Sequence, residues 1–69
     1  MNTKQTKFAD DFLDMVRTTA EKNDISMVEA RVSAQRMIHV AHANTTCSFS
    51  KEEWGEIREY VTDCSSKWA

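Results

Sequence analysis

The chain has 69 residues, 41% of them hydrophobic and 29% charged, and a formal net charge of −2. This length allows a single domain over residues 1–69 with a small core, since so short a chain buries only about 60% of its unfolded surface. The acidic balance speaks against a dedicated duplex binder, which neutralises phosphates with lysine and arginine, and no apolar run approaches the roughly 18 residues of a membrane span.

One glycine and no proline leave few backbone breaks, which predicts helices rather than a turn-rich sheet. The first predicted helix covers about 4–22, with Thr3 or Thr6 near its start. Phe8, Phe12, Met15, Val16, Thr19 and Ala20 recur at steps of three and four, and Ala9 and Leu13 widen the stripe. Asp10, Asp14, Arg17 and Glu21 fall opposite. The run "KNDI" ends the segment.

The second predicted helix covers about 27–43. Ser26 and Glu29 have the spacing of a capping box, and Ile25 is placed to staple onto Ala30. Its apolar face is Met27, Ala30, Ala34, Met37, Ile38 and Ala41. Met15, Met27 and Met37 read as core filler. After the break "NTTCS", a third helix covers about 51–67. Ser50 caps it, Glu53 is the reciprocal partner, and Phe49 can pack on Trp54. Trp54, Ile57, Val61, Cys64 and Trp68 make its buried face, with Tyr60 at the edge. The six residues Phe49–Trp54 resemble the Phe-Ser-x-Glu-Glu-Trp start of the Krüppel-associated box. The family's downstream pattern is absent, so the resemblance implies no function. The fold class expected is all-α, a small three-helix antiparallel bundle with helices of about 25 Å. The alternative is an open arrangement in which two copies complete each other's core.

Glu52, Glu56, Glu59 and Asp63 follow steps of four, three and four, so they share one face of the third helix. Such like-charge neighbours cost about 0.2–0.5 kcal/mol per pair. The helix N-terminus relieves Glu52, but the C-terminal half opposes Glu59 and Asp63, and only Lys67 stands near. This pattern marks the four acids as a docking face for a basic surface. On the second helix Val28, Val32, His39 and Ala43 form a second stripe away from the core, the expected self-association surface.

His39, His42 and Cys47 have spacing that can hold zinc, but a fourth ligand would have to be Cys64, Asp63 or a second chain, and Cys64 falls on a core stripe, so no metal or other cofactor is expected. A helix from about Ser50 through Cys64 would rise roughly 21 Å along its axis, which puts Cys47 and Cys64 too far apart for a disulfide. Arg31, Gln35 and His42 share a polar face, with Arg36 on another side, and could read bases. There is no catalytic constellation, and the start "MNTKQTKFADDF" has no secretory core. The expected protein is a non-catalytic, cytoplasmic inhibitor or adaptor, a homodimer without membrane contact, of a kind suited to a phage or mobile element. A transcriptional regulator that binds nucleic acid with the second helix is the alternative.

Overall fold

Asn2 starts the first helix. Its side-chain oxygen accepts the Gln5 backbone N–H at 2.9 Å, and the Gln5 side chain accepts the Asn2 N–H at 2.8 Å. This reciprocal box opens α1, Thr3–Lys22, in a computed structural model that describes residues 1–44 and 49–68. Thr3 and Thr6 therefore lie inside the helix, because Asn2 satisfies the free N–H groups before either threonine is reached.

The "KNDI" break closes α1 by a specific device. Asp24 adopts φ 57°, the left-handed conformation that Asp tolerates better than most residues. That reversal lets Ile25 N–H reach the Ala20 carbonyl at 2.8 Å and Asp24 N–H reach the Glu21 carbonyl at 3.4 Å. These are the two bonds of a Schellman motif. The chain then turns into α2, Met27–Asn44. Here the Ser26 hydroxyl accepts the Glu29 N–H at 3.2 Å, but the Glu29 carboxylate does not bond back, so only half of the expected box forms.

Helix α3 spans Lys51–Ser65 and carries the full box: Ser50 Oγ accepts from Glu53 N at 3.1 Å, and Glu53 Oε1 accepts from Ser50 N at 2.8 Å. The bond from the Ser50 N–H, then the Ser50 and Asn2 side chains and nearby Lys4, hold the Glu53 carboxyl below the usual glutamate range despite some desolvation. Phe49 packs on Trp54 with ring centroids 5.4 Å apart, at 80°, the staple that the sequence suggests. The helix stops two residues short of the expected end, where Ser66 caps it with N–H bonds to Thr62 and Cys64 carbonyls.

Each pair of helices packs together. Contacts between the starts of α1 and α3 (Gln5 with Glu53 and Glu56) and between the end of α2 and the start of α3 (His42 with Trp54) set an up-down-up order. The body measures 34 × 22 × 16 Å. Its core is Ala9, Phe12, Leu13, Val16 and Ala20 from α1, Ala30, Ala34 and Ile38 from α2, and Trp54, Ile57 and Val61 from α3. No helix among the described residues is long and apolar enough to cross a membrane.

Three expectations about the core need correction. Met15 is 46% exposed and Met37 is 42% exposed, so neither is core filler, although half-buried Met27 does pack on the core. Thr19 is exposed as well. The stripe of α1 is centred on Gln5, Ala9, Phe12, Leu13, Val16 and Ala20, because the helix faces the crevice between two neighbours and not one partner squarely. Gln5 and Ser65, both polar, are buried. Ser65 Oγ donates to the Thr62 carbonyl at 3.2 Å and accepts from Gln35 Nε2 at 3.3 Å.

Tyr60 ties α3 to α1 by donating its hydroxyl to Asp10 Oδ1 at 2.6 Å. That bond, helped by desolvation and by the nearby charges, pushes the phenol up to about 12 from 10.0. The folded chain holds this proton more tightly than the unfolded chain does. The resulting stability is therefore complete below pH 10 and is lost as pH rises through about 12. Tyr60 is the chain's only tyrosine, so tyrosinate absorbance reads it alone. Asp10→Asn should lower the titration midpoint toward 10, while a midpoint already near 10 in the parent chain would contradict the bond.

Candidate functional site: the acidic face of α3

The solvent face of α3 is built by helix geometry alone. Glu52, Glu56, Glu59 and Asp63 sit opposite the buried Trp54, Ile57 and Val61, and all four acids are exposed. Glu53, the remaining acid of α3, is absorbed by the cap. No basic residue lies in the last turn of α3, so the helix's negative end faces Asp63 without relief. Lys67 lies past the helix end, and no ion pair joins it to Asp63 among the described residues.

The chain's own cations leave this face largely alone. Among the described residues, the ion pairs are Lys7 with Asp11 at 2.9 Å, which lies on α1, and the Met1 ammonium with Glu56 at 4.0 Å. Glu56 also accepts a hydrogen bond from Gln5 Nε2 at 3.0 Å. It is thus drawn toward α1, while Glu52, Glu59 and Asp63 make no such contact among the described residues. Arg58, the single arginine of α3, turns the other way. Its Nη1 lies 3.3 Å from His42 Nδ1, and because a guanidinium only donates, the ring nitrogen accepts.

His42 stacks on Trp54, with centroids 5.1 Å apart and planes 16° apart. Gln35 bonds to Ser65, as described above. Two of the three polar residues proposed as base readers on α2 are therefore engaged by α3. The third, Arg31, is half-buried, and Arg36 is exposed on the outer face. Between α2 and α3 runs a shallow polar groove of about 230 Å³, lined by His39, Gly55, Arg58, Glu59, Thr62 and Asp63. His39 faces this groove, while Val28, Val32 and Ala43 are exposed on the outer side of α2. An apolar pocket of about 160 Å³ opens between α1 and α2, among Met15, Thr19, Ile25, Ala30, Ser33 and Met37.

Among the described residues no three His, Cys, Asp or Glu side chains converge in a way that could hold a metal. Cys64 is a free, half-buried thiol. Cys47, invoked for both a disulfide and a metal ligand, lies outside the described residues. Gln5 has a role that apolar periodicity does not mark: its amide links the α1 start to the Glu53 carbonyl at 3.1 Å and to Glu56. A local signal existed in the Asn2-x-x-Gln5 spacing, which is a capping box written with amides. The chain matches no known family model, no curated protein and no solved structure.

Proposed function

We propose that the chain is a small non-catalytic interaction module that lays the acidic face of α3 on a basic surface of a larger protein, as an inhibitor or adaptor. The supporting observation is that Glu52, Glu59 and Asp63 stand exposed and form no ion pair among the described residues, while Arg58 contacts His42. Repulsion along this row costs the free chain about 1 kcal/mol in total, and a basic partner would relieve it. Complementary charge of this kind steers encounter and fixes register more than it adds affinity. An accessory protein of a phage or mobile element, working in the cytoplasm of its host, fits this description. Self-association through Val28, Val32, His39 and Ala43 belongs to the same proposal.

The test is capture of a partner from host lysate by the full chain, with Glu56→Lys/Glu59→Lys as the control. Circular dichroism should show unchanged helicity for the variant. Capture should be lost in the variant, and it should weaken for the parent chain near 1 M salt, where charges are screened beyond about 3 Å. Capture that survives the double reversal at ordinary salt removes the docking face from the proposal. A gel shift with duplex DNA distinguishes the nucleic-acid alternative, which alone predicts a DNA complex, one that dissolves steeply as salt rises.

A further inference from the structure

Helix α2 is apolar on the side that does not face the core. Its 18 residues include only three formal charges, Glu29, Arg31 and Arg36. Val28 is 48% exposed, Val32 42%, Met37 42% and Val40 57%, and Ile25 just before the helix is 39% exposed. Branched residues gain nothing from such positions on a solvated helix. Exposed apolar residues gathered on one helix mark a candidate interaction site. The α1–α2 pocket, with Met15, Ile25 and Met37 on its wall, extends the same surface.

The two exposed charges on this face indicate what covers it. Glu29 and Arg36 are seven residues apart, two helical turns, and so project on nearly the same side. Neither side chain makes an ion pair or hydrogen bond among the described residues. The missing half of the α2 capping box leaves the Glu29 carboxylate free for an outside partner. A parallel, in-register pair of α2 helices would set Glu29 beside Glu29 and Arg36 beside Arg36. An antiparallel pair about an axis between Val32 and Ser33 sets each Glu29 opposite the partner's Arg36. The same axis puts Val32 level with the partner's Ser33, one residue from the partner's Val32. It also puts Val28 level with the partner's Met37, and Ile25 level with the partner's Val40. Glu29 with Arg36 and Ile25 with Val40 are therefore related about one point midway between Val32 and Ser33, as a two-fold interface requires, with Val28 and Met37, half a helical turn apart, on its flanks.

We infer that two copies of this chain pair through the outer faces of α2, antiparallel about a two-fold axis between Val32 and Ser33, with reciprocal Glu29–Arg36 contacts across the interface. This rests on the self-association part of the proposal above and adds its geometry. It also leaves the acidic α3 face of each copy uncovered, so that one dimer presents two docking faces.

Sedimentation equilibrium of the full chain tests it, with circular dichroism to establish that each variant is folded. The parent chain should be dimeric. Glu29→Arg alone and Arg36→Glu alone should each weaken the dimer about tenfold or more, since each places like charges together twice. The double variant Glu29→Arg/Arg36→Glu should return to within about threefold of the parent, because the swapped pairs attract again. Val32→Asp, a folded monomer if the axis is right, checks the centre. A parent chain that stays monomeric overturns self-association and geometry together. A parent dimer whose double variant remains as weak as the single ones overturns the antiparallel register while leaving self-association standing. Dimers of undiminished strength in Val32→Asp place the interface on another face and end the inference.

Discussion

Trp54→Ala should cost about 3–5 kcal/mol, which is most of the stability of a chain this size, expected to be about 3–10 kcal/mol. Trp54 is 3% exposed and belongs to the core. Three rings depend on it. Phe8 from α1 meets it edge-on at 5.5 Å and 87°, Phe49 does so at 5.4 Å, and His42 from α2 stacks at 5.1 Å. Phe8 and Phe49 also meet each other at 5.6 Å. One side chain thus joins all three helices at the end of the bundle where α1 and α3 begin. Edge-to-face pairs add about 0.5–1.5 kcal/mol each beyond the area they bury, so truncation loses packing, ring contacts and the staple at the α3 cap together. Urea denaturation followed by circular dichroism measures the loss. Trp54→Phe, which keeps an aromatic ring in the cluster, should cost clearly less. If the alanine variant unfolds within about 1 kcal/mol of the parent, an ordinary effect for a point substitution, the aromatic corner is not what joins the helices.

That corner was partly legible in the sequence. Phe49, Ser50, Glu53 and Trp54 lie within six residues, and their spacing is enough to write the cap, the staple and the first buried ring of α3. The acidic row was legible for the same reason, since helix periodicity alone aligns Glu52, Glu56, Glu59 and Asp63. What the pattern misjudged was the rotation of each helix about its own axis. Met15 and Met37 satisfy a periodicity of three and four as well as Val16 and Ile38 do. Which member of each pair is buried depends on where two neighbouring helices converge, and no local spacing carries that information. Polar residues inside the bundle were missed on different grounds. Ser65 is tolerated because Gln35, 30 residues away, donates to it. Gln5 is tolerated because its partners on α3 stand 48 and 51 residues away. The left-handed Asp24 likewise lay hidden in an ordinary polar break, because Asp in a turn admits several backbone conformations.

Gln5→Glu should destabilise the fold by about 3 kcal/mol at neutral pH, the scale on which a buried charge without a partner is felt. The native amide suits its site in both halves. Its nitrogen donates to the Glu53 carbonyl at 3.1 Å and to Glu56 Oε1 at 3.0 Å, and its oxygen accepts the Asn2 N–H at 2.8 Å. The side chain is 2% exposed. A carboxylate there keeps only the acceptor half. It faces the Glu56 carboxylate and the Glu53 carbonyl with no proton to offer, at a position almost closed to solvent. The introduced carboxyl would therefore hold a proton more tightly folded than unfolded, so the defect should shrink as pH falls through the glutamate range. The parent chain should respond in the opposite direction. Glu53 is held below its ordinary 4.5 when folded, so its contribution is complete above that value and is lost as acid protonates it. Thermal melts of the two chains between neutral pH and about pH 4 should accordingly converge, and Gln5→Leu, which removes the donors without adding charge, should show no such convergence. A Gln5→Glu chain as stable as its parent at neutral pH would mean that the amide does not bridge α1 to α3. The pull it exerts on Glu56, and with it the division of the acidic row into one tethered and three free carboxylates, would then have to be given up.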